Sequence, residues 1–488
     1  MSTTPISVRT SGMRYLLTRG LLGVALLGTA GACTNDLTVP NYQNATPESV
    51  QGDPVSAVPL LANGVLRNDR DGHTGYVQGT GILGREVYNY TPTEGRNTTG
   101  WLTVEANNST SFGGVALWNG PYTQLRNIYN LRGAISGAAA GIFTDARKNA
   151  GLGFAHTMEG LSLSYVIATR YNLGAPVEVS EDPAALVPFV SRDSVYRYIV
   201  AVLDQGKTEL LAGGTSFPFT LHAGYAGFNT PANYLKFNRA LAARINAYRA
   251  SIGASGCGAA RSAACYQTVL TNLSESFIDP AGSLTAGPFN VYSAASSDVP
   301  NGLANVSNTN VVAHARADSG IQLKADGVTR DDRFTAKVFT IPEKRPSNAS
   351  HGIGTTFDYS TYSLRESPVP IIRNEELILL RAEARYFTGD LVGALQDINT
   401  IRTRSGGLAA LLVPFASEAA FIDELLYNRR LSLVFEGHRW VDMRRFGRLA
   451  DLTRDLPSHV VIPQLPVPQG ECLSRSLAET ALKGPGCT

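Results

Sequence analysis

The chain is short of most residues that announce chemistry. Its 488 residues include 5 cysteines, 4 methionines, 3 tryptophans and 7 histidines. The histidines (His73, His156, His222, His314, His351, His438 and His459) form neither HExxH nor another metal-ligand spacing, and no CxxC pair occurs. GxSxG and SxxK nucleophile motifs are absent as well. These absences remove the motif-bearing zinc and serine hydrolases. They leave open a glycoside hydrolase, whose paired carboxylates need no motif. The formal net charge is only +2, and residues 1–32 contribute Arg9, Arg14 and Arg19 without an acid. The remainder is therefore close to neutral, which gives no electrostatic case for nucleic acid. Hydrophobic residues at 43% against 17% charged describe an ordinary globular balance rather than disorder.

The amino end reads as an address. Arg14 and Arg19 precede the apolar run Leu21–Leu27, then Gly28, Thr29, Ala30, Gly31 and Ala32 lead to Cys33. A basic region, a short apolar stretch and small residues make a secretory signal. The run is too short for the ~20 residues of a bilayer span. Ala-Gly-Ala-Cys looks like a bacterial lipobox, so residues 1–32 are expected to be a lipoprotein signal peptide and Cys33 the lipid-attachment site. An ordinary signal peptide followed by a chance cysteine is the plainer alternative. Met13 offers a more compact start than Met1. Outer-membrane localisation, with the chain held by its lipid on the cell surface, is the expectation that follows.

Four cysteines then remain, Cys257, Cys265, Cys472 and Cys487. An even count outside the cytoplasm favours disulfides, and four cysteines allow three connectivities. Local pairing, Cys257 with Cys265 and Cys472 with Cys487, is the simplest. A metal site is the alternative, but no histidine stands near, and neither metal nor cofactor is expected.

Along the mature chain, residues 33–60 read as an extended tether, with Pro40, Pro47, Pro54 and Pro59. Residues 68–114, rich in Gly, Asn and Thr, read as long loops. From Val115 onward apolar residues recur at three- and four-residue steps, as in Leu117, Trp118, Tyr122, Leu125, Ile128 and Leu131. Further helices are expected over 151–172, over 193–212 with Asp193 as cap, and over 231–250 and 265–277. Two more are expected over 371–388 and 390–404, split at Gly389, and a last long one over 417–447. Contiguous pairs repeat at roughly 35–40 residues, which points to a mostly α, tetratricopeptide-like helical superhelix, whose unit is ~34 residues. Residues 278–365 break the pattern, with β-like pieces such as Ala336–Ile341, and read as an irregular loop-rich insertion. From Asp455 the proline-rich tail should run extended over the body. The parts are thus a 61–277 N-terminal helical region, the 278–365 insertion and a 366–488 C-terminal helical region and tail.

The C-terminal run from Asn428 to Gly447 resembles the SusD/RagB family of nutrient-binding outer-membrane lipoproteins. Arg429, Phe435-Glu436-Gly437, Arg439, Asp442, Arg445 and Gly447 match its motif; Asn428 and Ser432 stand where the family usually has acids, which removes charge pairs there. Ala382-Glu383-Ala384, Gly389, Ala394, Ile398-Asn399, Ile401–Arg404 and Gly406 are similar to the family's preceding helix pair. Asp331-Asp332-Arg333 looks like its D.R step, and Val39-Pro40-Asn41 like its opening. Phe154 to Pro176 is similar to its first repeat helix and exit turn. The resemblance implies a helical-repeat fold, a glycan or peptide ligand, and a TonB-dependent β-barrel transporter (SusC-like) as partner.

Within that frame Glu436 and Arg439, three apart, can pair, and the charges around them read either as a ligand cluster or as an ion-pair network fastening helices. Trp440 reads as core. Ligand candidates are aromatic rings in irregular segments, where sugar C–H faces stack and hydroxyls meet amides. Trp101 leads, followed by Tyr88, Tyr90 and Tyr292, with Phe112 in the same class, among Asn89, Asn97, Asn107 and Asn290. No family motif fixes these residues, and plain packing is the alternative for each. Gly79, Gly81 and Gly84 spell a lone GxGxxG, read as a turn rather than a nucleotide site. Asp69, Asp71 and Gly72 hint at a calcium loop but lack its final Glu, so a solvated turn is expected. A non-enzymatic glycan binder is therefore the expectation; a secreted glycan hydrolase and a tetratricopeptide-like interaction scaffold are the alternatives.

Overall fold

The computed structural model describes residues 52–110, 112–182, 184–305, 309–346 and 353–475, with the side chains at 112, 113 and 116 not among those described. The signal segment 1–32, Cys33, Val39-Pro40-Asn41 and Cys487 lie outside these residues.

Helix α1 spans Pro54–Leu83, capped by Asp53 accepting from the Ser56 N–H and opened by a proline in its first turn. This corrects two expectations: the tether does not run extended to residue 60, and residues 68–83 are helix rather than loop. Five glycines (Gly64, Gly72, Gly75, Gly79 and Gly81) lower the intrinsic propensity of this segment. Burial of Val58, Ala62, Val65, Leu66, Val77, Ile82 and Leu83 outweighs them. After strand β1 (Val87–Asn89) and the short α2 (Arg96–Leu102) come α3 (Phe112–Gly137), α4 (Asp145–Arg170), α5 (Arg192–Leu211), α6 (Pro231–Ile252) and α7 (Ala263–Ser274). Caps set their starts. Thr144, Ser191 and Thr230 each accept from a backbone N–H three residues on. Ser191, not Asp193, is the cap of α5; Asp193 sits in the first turn, where its charge faces the positive helix end.

The helices stack in chain order: α1 on α3, α3 on α4, α4 on α5, α5 on α6 and α6 on α7. The stack then continues without a gap, because α7 packs on α9 (Asn374–Phe387), which packs on α10 (Leu391–Arg404) and α11 (Glu418–Ser432). Everything between α7 and α9 is therefore looped out of the helical run. That insertion contains β2 (Phe289–Asn290), β3 (Val311–Ala313), α8 (Asp332–Lys337), β4 (Val338–Arg345), β5 (Thr355–Tyr359) and β6 (Val369–Pro370). The strands make three antiparallel two-stranded ribbons, β1 with β3, β2 with β6, and β4 with β5. The architecture is the mostly helical stack with an irregular insertion that the periodicity predicts. Cys257 in the α6–α7 connection is joined by a disulfide to Cys265 in the first turn of α7. Positive φ at Gly253, Ser255, Gly256, Gly258 and Arg261 folds that loop tightly.

Around α9–α11 the core is Ile378, Leu379, Ala382, Ala394, Ile398, Ile401, Phe421, Ile422, Leu425 and Phe446. Each fully buried Leu, Ile or Phe among them contributes roughly 1.5–3 kcal/mol. The expected single helix over 417–447 is broken. It stops at Ser432, turns through Phe435 (φ 59°) and Gly437 (φ 87°), and resumes as α12 (Arg439–Arg445). The break docks other parts of the molecule. Tyr362 donates to Phe435 O at 3.0 Å, Tyr359 stacks on the Phe435 ring, and Tyr76 of α1 donates to Gly437 O. A side chain at Gly437 would collide with the Tyr76 ring at 2.8 Å.

Glu436 consequently does not pair with Arg439. It accepts from Arg373 at 2.8 Å, whereas Arg439 donates to Gly84 O. Arg445 bonds Asp442 and Glu383, Arg429 bonds Asp442, and Trp440 is fully buried with its N–H on Ile462 O. The charged motif is thus an ion-pair network that fastens helices. Its two departures are used as well: Arg333 donates to Asn428 Oδ1 at 2.9 Å and to Ser432 Oγ at 3.0 Å, while Asp331 holds the other side of the guanidinium. Among the described residues the tail bears one short helix, α13 (Gln469–Ser474), which carries Cys472.

Candidate functional site

Gly72, Gly75 and Gly79 recur at three- and four-residue steps along α1 and so share one face of the helix. A Cβ built at Gly72 or Gly75 meets nothing within 4 Å, and the same is true at Gly120 on α3. Helix-interior glycine costs about 0.5–1 kcal/mol against alanine. Here the missing side chains leave space instead of allowing contact.

That space is a cleft of about 550 Å³. It falls within the roughly 300–1,000 Å³ of small-molecule sites. One wall is α1, from Asn68 to Gly79. Facing it are Asn97 and Trp101 of α2, and Leu117, Gly120, Pro121 and Gln124 of α3; Ser162 and Tyr165 of α4 also line it. Gly79 lets the Trp101 indole lie directly on α1. The other two glycines of the GxGxxG serve close packing: Gly81 faces Val87 and Phe435, and Gly84 faces the Trp440 backbone. The turn expected for that motif is therefore corrected to a buried helix end.

Residues lining the cleft carry polar atoms that lack a partner among the described residues: Trp101 Nε1, Gln124 Oε1 and Tyr165 Oη. Leaving such a group unsatisfied costs about 1–3 kcal/mol. Gln124 is held in place by its other end, Nε2 donating to Val65 O at 2.9 Å. Tyr165 stacks near His73 and Tyr76.

Beside the cleft, Asn290 on β2 reaches two residues of α1. Its Nδ2 donates to Asp69 Oδ2 at 2.9 Å and lies 3.2 Å from His73 Nδ1. Both amide hydrogens are thereby used, so His73 Nδ1 accepts and the ring proton sits on Nε2. Burial pushes the Asp69 carboxyl up to about 6 and, with Arg244 nearby, His73 down to about 3. Asp69 is thus a buried helical residue, not part of a solvated turn. Asp71, two positions on, is exposed.

Of the four aromatic candidates, only Trp101 lines this cleft. Tyr88 is buried against His314 and Asp455, with its hydroxyl hydrogen-bonded to that carboxylate. Tyr90 lines a different cleft of about 520 Å³ with Pro92, Ile341 and Lys344. Tyr292 is buried and donates to Arg70 O at 3.0 Å. Phe112 begins α3, and its side chain is outside the described set. Gln124, Tyr165 and Gly75 join the site without a motif to announce them, and Gly72 serves it as bare helix backbone rather than as part of a calcium loop. The helical spacing of the glycines is the signal that points to them. Among the described residues no three His, Cys, Asp or Glu side chains gather as a metal-binding group.

Residues 327–476 match the model of the SusD family. A SusD superfamily protein from Bacteroides vulgatus superposes with a TM-score of 0.63 at 15% identity, covering 86% of this chain and 97% of its own. The fold is that of the SusD superfamily. A SusD-like carbohydrate-binding protein from Bacteroides fragilis gives a TM-score of 0.61 at 14% identity, with 86% and 98% covered. Surface glycan-binding protein A from Bacteroides fluxus gives 0.60 at 18% identity, with 91% and 100% covered. None of the curated proteins matches the chain in sequence. The SusD match takes in the ion-pair network, whereas the cleft lies on helices before it.

Proposed function

We propose that this protein is a lipid-anchored glycan-binding protein of the outer-membrane surface, which captures oligosaccharide for a TonB-dependent transporter without cleaving it. The observation that carries the reading is the cleft between α1, α2 and α3, on a fold shared with glycan-binding proteins. Bare helix backbone at Gly72 and Gly75 gives it room, Trp101 gives it a ring, and Asn68, Gln78 and Asn97 bring amides to its lining. This is the mixture of apolar surface and few placed polar groups that binds a sugar. The Ala-Gly-Ala-Cys33 ending supports the anchor, since acyl chains hold a protein at ~0.8 kcal/mol per buried CH₂.

Titration calorimetry with soluble oligosaccharides tests the reading. Binding without reducing-end release, weakened by at least about tenfold in Trp101→Ala (~1.4 kcal/mol), is expected. Turnover of the glycan would convert the protein to the hydrolase, and binding to other proteins alone would make it a scaffold. Mass spectrometry of the mature amino terminus, with or without acylation at Cys33, decides the anchor, and co-purification from outer membranes tests the transporter.

A further inference from the structure

The charges around the cleft narrow its ligand further, on the reading that it binds glycan. The chain carries 42 Lys and Arg against 40 Asp and Glu. Yet among the described residues that line the cleft none is Lys or Arg, and two are Asp. Asp71 is exposed and, among the described residues, its carboxylate has no ion pair and no side-chain hydrogen bond. Asp69 lines the same wall and is buried, with Asn290 as its donor.

The arginines that follow or precede lining residues in sequence are turned to other tasks. Arg70 pairs with Asp298 at 2.7 Å and donates to Val291 O. Arg67 lies close enough to Asp298 to act on the same carboxylate. Arg96 grips Glu94 through both Nε and Nη2. A uronate or sulfate entering the cleft would lose water and meet no cation, with a lone carboxylate beside it. Acid-binding sites do the opposite and place arginine or lysine where the anion lands.

We infer that the cleft selects glycans free of acidic groups, and that Asp71 at its edge is the residue that turns acidic ones away. Like charges at this range act through partly screened solvent, so the discrimination from Asp71 is about fivefold rather than absolute. Charge reversal there should invert it.

The test pairs each neutral oligosaccharide of a glucan, mannan and galactan panel with its C6-oxidised uronate form, so that only charge differs. Affinities are measured for the whole protein, for Asp71→Asn and for Asp71→Lys. Asp71 is exposed, so both variants should fold, and circular dichroism checks that they do. The expected result is a neutral binder whose uronate form binds at least about fivefold more weakly, a smaller gap in Asp71→Asn, and a reversed one in Asp71→Lys. A uronate that binds the unmodified protein more tightly than its neutral parent overturns this inference and leaves the glycan-binding reading standing. So does a neutral preference that both variants leave unchanged. No binding by any member of either series overturns the glycan-binding reading and this inference with it.

Discussion

Gly79 lies directly under Trp101: a Cβ at Gly79 would stand 2.8 Å from Trp101 Cη2 and 2.9 Å from Leu117 Cδ1. One hydrogen in place of a methyl group sets the depth at which the indole rests on α1. Gly75, one turn earlier, faces open space. The same substitution should therefore have opposite signs at the two positions. Gly79→Ala is expected to destabilise by about 1–3 kcal/mol through overpacking and to weaken ligand binding by moving Trp101. Gly75→Ala is expected to stabilise by about 0.5–1 kcal/mol through helix propensity. Urea unfolding of the two variants beside the parent checks both signs.

The cleft's volume makes its own prediction. Gly75→Trp adds a large side chain where nothing now stands, so folding should survive while oligosaccharide binding is lost. Calorimetry on a variant with an unchanged unfolding midpoint would show this; undiminished affinity would place the ligand elsewhere.

Arg373 is buried between Glu436, Glu375 and the Ser432 carbonyl. Removing the Glu436 charge leaves Arg373 its pair with Glu375 but takes away buried charge-assisted hydrogen bonds, at a cost of about 1.5–3 kcal/mol. Glu436→Gln should thus lower stability far more than a surface carboxylate change such as Glu343→Gln. Oligosaccharide affinity of the folded fraction should change little, because neither residue lines the cleft. Chemical denaturation monitored by Trp fluorescence measures the first, and calorimetry below the transition the second.

Asn428 stands where a carboxylate is usual in the resembling family, and its surroundings explain the amide. Its Oδ1 accepts from Arg333 while its Nδ2 donates to Glu424 Oε1 at 2.7 Å and Glu424 O at 2.8 Å. Asn428→Glu would keep the first contact and set two carboxylates against each other in the second. A loss of about 1–3 kcal/mol is expected, recovered in part by adding Glu424→Gln, as a double-mutant cycle would register.

Asp69 predicts a pH dependence with a definite sign. Its folded carboxyl titrates near 6 because it is buried, against the ordinary 3.8. The folded state therefore holds a proton that the unfolded state has released between those values. Stability contributed by this group is full below the unfolded value and falls as pH rises through the folded one, by an amount of order 1–3 kcal/mol. Asp69→Asn should flatten that decline between pH 4 and 7 while keeping an acceptor for Asn290. Unfolding free energies measured across that range check it, and an unchanged slope would show that other groups set it.

Much of the helical stack was legible before any coordinate, because burial of one helix face leaves a 3.6-residue trace in the chain itself. Leu117, Leu125, Ile128 and Leu131 on α3, and Leu377 to Ile401 across α9 and α10, carry that trace, and Gly389 marks the turn between the last two. Helix α1 was not legible, since its glycines argue locally for turns and only the neighbours across it show that they are needed for close approach or for an opening. The break at Phe435–Gly437 was hidden for a related reason. A helix motif continues through it, and what stops the helix is the docking of Tyr76, Tyr359 and Tyr362 from far along the chain.

Residue order by itself determined the helical class, the looped-out insertion, the neutral surface and the aromatic ring at Trp101, because propensity, periodicity and composition are local sums. Only the tertiary structure decided that Glu436 holds Arg373 rather than Arg439, that Asn290 reaches Asp69, and that Trp101 shares a cleft with Gly75 and Gln124. Such meetings depend on how distant helices cross, which is set by all their packed faces together and written in no single stretch of chain.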